Sequence, residues 1–275
     1  MIPKVLIVIL NYKTYQMTLA LIDQLKNLDY PSFEIMVVDN CSPNESVRAL
    51  EQCANLKGYI LYENNKNAGY AVGNNIGIRY GIDNGYEYTW ILNNDVRIKE
   101  PSVLSKMVRA AQTDPNIGCV GTKIFDADGR ICAPYCSRPN LWTMTLGIVK
   151  EKKRRQKQID ISQQVYRLHG CSMLLRNSVM KKINCFDERT FLFGEEEILS
   201  EKMRKIGAFA YYLADCSIIH MESSTIDSIS PSSKKNKIRY TMESMKLYLR
   251  EYRHYGLIAQ FLCLTTRRLI MKYKR

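Results

Sequence analysis

Val5 to Leu10 is an uninterrupted apolar run between polar neighbours, the pattern of a strand buried on both faces. Met17, Leu21, Leu25 and Leu28 then recur at helical spacing until Tyr30-Pro31 ends the segment. Ile35 to Val38 repeats the strand pattern and runs into Asp39-Asn40-Cys41-Ser42. A helix with Val47, Leu50 and Ala54 on one face follows, closed by Gly58. Tyr59 to Tyr62 predicts a third strand. After it come a glycine- and asparagine-rich loop, a helix carrying Val72 and Ile76, and a fourth strand from Tyr88 to Leu92. Strands alternating with amphipathic helices predict βαβ units and an α/β fold around one mostly parallel sheet.

In open sheets of this kind ligands bind beyond the carboxyl ends of the strands. Asn93-Asn94-Asp95 taken alone reads as a turn, because Asn and Asp bond their own backbone. Asp39 and Asp95, however, end two separate strands on the same edge of the sheet, and that pairing makes a candidate site.

The second half of the chain is less regular. Pro101 suits the first turn of a helix reaching about Gln112, and Asp126-Ala127-Asp128-Gly129 suits a tight turn. Residues 130–164 show little periodicity and read as a variable stretch. Order resumes at Val165 to Arg176, and a helix from about Glu195 to Ile206 stops at Gly207. Ala210 to Leu213 and Ser217 to Ile219 read as two strands, with His220 immediately after the second and Met221-Glu222-Ser223-Ser224 following it. From Ser233 the pattern is helical. Leu257, Ile258, Phe261, Leu262 and Leu269 fall largely on one face, and Arg267, Arg268, Lys272, Lys274 and Arg275 gather at the end.

Composition narrows the function classes. With 46% hydrophobic and 24% charged residues in 275, the chain is ordinary for a globular protein. No apolar run approaches the roughly 18–20 residues of a membrane span, and no basic-then-apolar leader opens the sequence, so the expectation is a cytoplasmic protein. Nine cysteines without a C-x-x-C pair predict reduced, mostly buried thiols. The net charge of +13 is local: residues 231–275 carry twelve Lys and Arg against Glu243 and Glu251, and residues 150–157 carry six against Glu151. Nucleic-acid binding is the class such charge first suggests, but it leaves acids at strand ends unexplained, where they would repel phosphate. A basic amphipathic tail instead fits docking on an anionic membrane surface.

Three further stretches carry candidate chemistry. Gly69, Gly73 and Gly77 surround a helix start without forming either nucleotide-binding glycine motif, so they read as packing and turn residues. Glu195, Glu196 and Glu197 fill the first turn of a helix, where acids complement the dipole, yet three exceed what capping requires. His220, placed after a strand and beside two acidic strand ends, is a candidate metal ligand.

Five pieces in order carry a resemblance: VLIVILNYKT, EIMVVDNCSPNES, NKNAGYAVGNNIGI, YTWILNNDV, and HGCSMLLR followed by FDERTFLFGEEEILSEKMRKIG and IIH. Together they resemble the family 2 glycosyltransferases of GT-A fold, and among these the bacterial enzymes of surface polysaccharide assembly, rhamnosyltransferases included. The resemblance implies a Rossmann-like catalytic domain over residues 1–230 and a basic helical extension over 231–275. It implies that Asn11, Tyr12, Asp39, Gly69, Asn75, Asn94 and Asp95 bind a UDP- or dTDP-linked sugar, Asp39 through the N3–H of the base. It implies a divalent cation, Mg²⁺ or Mn²⁺, on Asp95 and His220, and Glu196, preceded by Glu195, as general base for an inverting transfer to a glycan or lipid-linked acceptor. Two departures stand out: Asn93 replaces the first acid of the metal motif, and Glu196 stands where Asp is usual. They leave room for a sugar-nucleotide-binding homologue without catalysis. A lipid-linked acceptor and the basic tail together imply residence on the inner face of the cytoplasmic membrane.

Overall fold

The computed structural model describes residues 2–221 and 230–273, with backbone alone for 230–234 and 273. The first half follows the hydrophobic pattern closely. It runs β1 (Val5–Asn11), α1 (Tyr15–Leu25), β2 (Phe33–Asp39), α2 (Ser46–Lys57), β3 (Ile60–Glu63), α3 (Gly69–Asp83) and β4 (Tyr88–Asn93). Alternate residues of β1 feed two cores: Val5, Ile7 and Ile9 pack with Trp90 and Leu92 on one face, Leu6 and Val8 with Met36 and Ile91 on the other. Each such fully buried aliphatic side chain stabilises the fold by about 1.5–3 kcal/mol, so β1 is the sheet's anchor.

The chain continues as β5 (Val96–Arg97), α4 (Val103–Gln112), β6 (Ile117–Phe125), α5 (Leu141–Met144), α6 (Ile148–Gln156), β7 (Gln163–Val165) and β8 (Ser172–Arg176). After these come α7 (Asn177–Ile183), α8 (Glu195–Lys205), β9 (Phe209–His220), α9 (Ser230–Leu247), a π-helical turn (Tyr248–Tyr252) and α10 (Leu257–Tyr273). The strands form one sheet in the order β3-β2-β1-β4-β8-β6-β9-β5, with β7 also on β9. β8, β5 and β7 run against the other six, so the sheet is mixed but mostly parallel in direction.

Several expectations need correction. The strands at 210–213 and 217–219 are one strand, β9, whose register against β6 shifts between Thr122 and Lys123. The stretch 130–164 contains α5, the basic helix α6 and the start of β7. In α3 the buried face is made of Gly73, Gly77 and Gly81 with Ala71, Asn74, Asn75 and Ile78, and Ile76 packs partly buried against the same core. Added side chains at these glycines would strike Leu10, Val8 and Thr89, so small residues let the helix lie flat on β1 and β4.

The basic C-terminal segment is packed at its start. Tyr248, Leu249 and Cys263 enclose Ile198 of α8, and Phe191 stacks on Tyr240 with ring centroids 4.4 Å apart. The buried Glu201 carboxylate accepts two bonds from Arg138, at 2.7 and 2.8 Å, and one from the Tyr166 hydroxyl, with Arg253 at 3.9 Å. Glu222, Ser223, Ser224, Lys274 and Arg275 lie outside the described residues.

Candidate active site

Parallel pairing puts Asn11 opposite Asp39, and Leu10 opposite Asn93, so three strand ends meet at one edge. Asp39 is fully buried. Its Oδ1 accepts the Ser42 amide at 2.8 Å, and its Oδ2 accepts the Ser42 hydroxyl at 2.7 Å and Asn11 Nδ2 at 2.6 Å. Asn11 Oδ1 in turn accepts the Thr18 hydroxyl at 2.8 Å. The Asn94 amide joins this network rather than facing Asp95, donating to Thr14 Oγ1 at 2.8 Å and Thr18 Oγ1 at 3.0 Å. Tyr12 is half-buried at the rim, under the Lys13 ammonium.

Asp95 occupies the turn between β4 and β5 and meets His220, whose Nε2 lies 3.2 Å from Asp95 Oδ1. Pairing of Val96 with His220 across β5 and β9 fixes this contact from the backbone. The other ring nitrogen, His220 Nδ1, is buried without a hydrogen-bond partner among the described residues. The His169 ring sits edge-on to His220, centroids 5.4 Å apart. His169 itself is exposed, whereas Cys171 and His220 are buried. His169, Cys171 and His220 bring one donor atom each within 4.8 Å of one another.

The strand-entry segment 167–171 connects this pair to the acids of α8. Asn93 N–H donates to the Cys171 carbonyl at 2.9 Å, and one residue earlier in the segment the Gly170 amide donates to Glu196 Oε1 at 3.1 Å. Arg167 lies 3.0 Å from Glu197 Oε1 and 3.8 Å from Glu196 Oε2. The Tyr70 hydroxyl holds the Gly170 carbonyl from behind at 2.6 Å. Phe193 and Gly194, both at positive φ, turn the chain sharply into α8 so that the three acids start the helix. Glu195 points inward and is buried. Burial, then the charge of Glu196, raises its carboxyl well above the ordinary value, whereas Glu196 keeps part of its side chain open.

Two other residues expected to line the donor make contacts within the fold. Asn75 donates from Nδ2 to the Phe186 carbonyl at 3.1 Å and to Glu188 Oε1 at 3.0 Å, and accepts the Phe186 amide at 3.0 Å, so it clamps α3 to the segment before α8. Gly69, at φ +89°, packs against the Phe191 backbone, where any Cβ would collide, and its carbonyl accepts Asn40 Nδ2 at 3.2 Å. Sequence reasoning missed Thr14, Thr18, Ser42, Arg167 and His169. Thr14, Ser42 and His169 had a signal, since each lies in a quoted stretch, His169 being also one of three histidines.

Comparison with known proteins bears on the family and the fold. A low-salt glycan biosynthesis hexosyltransferase of Haloferax volcanii is 24% identical over 71% of the chain. An N-acetylglucosaminyl-diphospho-decaprenol L-rhamnosyltransferase of Mycobacterium tuberculosis is 25% identical over 48%. The chain spans 60% and 46% of their own lengths. A mannosyltransferase from Pyrobaculum calidifontis, solved with GDP-Man and Mn²⁺, superposes with a TM-score of 0.62 at 15% identity, covering 98% of this chain and 70% of that one, which shows a shared fold. The model of glycosyl transferase family 2 matches residues 5–183, and the chain belongs to that family.

Proposed function

We propose that the chain is an inverting glycosyltransferase that moves a sugar from a UDP- or dTDP-linked donor to a hydroxyl of a glycan or lipid-linked acceptor in surface polysaccharide assembly. The observation that carries this reading is the strip 167–171, which sets Glu196 and the Asp95–His220 pair along one edge of the sheet. The names of the hexosyl- and rhamnosyltransferase relatives support it, as does the nucleotide sugar in the mannosyltransferase neighbour.

Glu196 accepts the proton of the acceptor hydroxyl. The freed oxygen attacks the anomeric carbon as the bond to the diphosphate breaks on the opposite face, giving inversion. Gly170 N–H and Arg167 hold the carboxylate in place for that transfer. Burial and the neighbouring Glu196 raise the Glu195 carboxyl above its ordinary value, which disfavours a second charge beside the base. Asp39 receives the N3–H of the base if the Ser42 hydroxyl, now on Oδ2, turns aside, with Asn11 and Tyr12 flanking.

Asp95 and His220 fit a divalent cation, Mg²⁺ or Mn²⁺. Their facing oxygen and nitrogen are 3.2 Å apart, close to the spacing of adjacent ligands about 2.1 Å from one ion. Such an ion, when bound, neutralises charge developing on the leaving diphosphate.

Thermal unfolding with UDP, dTDP and GDP, each with and without Mn²⁺, tests the reading beside Asp95→Ala. A nucleotide at about 100 times its dissociation constant adds about 2.7 kcal/mol, a Tm rise of about 5 °C or more. The expected result is a Mn²⁺-dependent rise with UDP or dTDP that Asp95→Ala removes. No rise with any nucleotide refutes the proposal.

A further inference from the structure

On most surface helices the outward face is polar. On α10 it is the reverse: Leu257, Ile258 and Phe261 are 84%, 80% and 68% exposed, while Cys263 faces inward and is fully buried. The short helix α5 lies against α10, held by Met144 in the same small core as Cys263 and Leu264. Beside that anchor Trp142, Leu146 and Val149 are again open to solvent, Leu146 at 81%. Two neighbouring elements, far apart in sequence, therefore present large apolar side chains together, a feature that marks interaction surfaces.

The charge around this patch selects its partner. Helix α6 continues directly from Val149 into the run of six Lys and Arg at 150–157, and Arg267, Arg268 and Lys272 follow the apolar face of α10. Apolar side chains fringed by cations on both sides match a bilayer whose surface is anionic and whose interior accepts a few inserted side chains. A protein partner of this size would ordinarily be met by mixed charge rather than one sign. No helix among the described residues is long and apolar enough to cross a membrane.

We propose that α5, the first turns of α6 and the outer face of α10 form one composite docking surface for an anionic lipid bilayer, with Trp142 inserted at the headgroup level. The surface is tied to the site. Arg155 of α6 and Arg167 pack against the ring of Tyr135, at 3.2 and 3.6 Å from its centroid, and Arg167 holds Glu197 and Glu196. Docking therefore brings the Glu196 end of the site to the membrane, where a lipid-linked acceptor hydroxyl would be presented. This deepens the transfer proposed above, but docking is readable without nucleotide or acceptor and stands or falls separately.

The chain has two tryptophans, and Trp90 is buried in the core, so quenching by lipid reports on Trp142. The test mixes the full chain with phosphatidylcholine vesicles containing about 30% phosphatidylglycerol and lipids brominated high on the acyl chain. Expected are binding that weakens with salt and with loss of the anionic lipid, and partial quenching that Trp142→Phe abolishes. Lys152→Glu should lower the partition coefficient by about twenty-fivefold, two charge units at roughly fivefold each. Leu257→Asp with Phe261→Asp should abolish binding while leaving Tm unchanged, because both side chains are already in water. Binding without Trp142 quenching would overturn the composite surface. So would a lipid-free dimer in sedimentation that the same Asp substitutions dissociate, since a second copy would then be the occupant.

Discussion

The two ends of the site are built on opposite plans. Around Asp39, the side chains of Asn11, Ser42, Thr18 and Asn94 satisfy one another, and both carboxylate oxygens are taken. Around Glu196, Glu195 Oε1, Glu197 Oε2 and His220 Nδ1 are buried without a hydrogen-bond partner among the described residues. A saturated network rigidifies its surroundings and resists change. Unused bonding capacity is unfavourable in the resting fold, and it is what a group needs if it is to take a proton or a ligand. The first end is thus a frame that holds Asp39 in place, and the second keeps bonding capacity unused.

Breaking each end should therefore fail differently. Glu196→Gln should lower turnover about a thousandfold while nucleotide-induced stabilisation persists, measured by product formation and thermal shift together. Unchanged turnover would remove Glu196 from the role of base. Asp39→Ala should instead destabilise the whole fold by about 3 kcal/mol, read by urea unfolding, because it strands the Asn11 amide and two Ser42 donors. A variant as stable as the parent would mean the network is not a frame.

Glu195 sharpens the contrast through pH. Its folded value is raised above the ordinary 4.5, so the folded chain binds the proton more tightly than the unfolded chain does. Stability is therefore greatest below that ordinary value and declines as pH rises toward the raised one. Glu195→Gln should show a smaller fall in Tm from about pH 5 to pH 8 than the parent. Equal slopes would show that Glu195 ionises freely in the fold. The smallest effect is expected for Asn75→Ala: a stability loss of about 1–2 kcal/mol from the broken clamp to Phe186, with little change in nucleotide affinity measured by calorimetry. A large loss of affinity at full stability would show that Asn75 serves the donor rather than the clamp.

The first half of the sheet was legible because β1, β2 and β4 are buried on both faces and β1 and β2 are each followed directly by a helix, so local pattern and tertiary role coincide. β6 escaped notice because Gly118 and Gly121 interrupt its apolar run, and its partners β8 and β9 are distant in sequence. The buried face of α3 is glycine and asparagine, which hydrophobic periodicity assigns to solvent. Asp39, Asp95 and Glu196 were visible as acids at strand and helix ends. Asn75 and Asn94 were named from resemblance, but an amide bonds whatever it meets, and which partner it meets is a matter of packing. Arg167 and His169 gain their surroundings only when residues 167–171 pass between β4 and α8.

The Asp95–His220 contact also sets an order of events. Asp95 is in place once β4 has joined β1, a step that uses chain already emerged early in synthesis. His220 arrives with the last residue of β9, after β6 and β8 have been laid down between them. Contacts this distant in sequence close late. A nascent chain can thus carry a well-packed half-sheet yet have no paired carboxylate and imidazole to offer, so competence at this edge is a signature of finished folding.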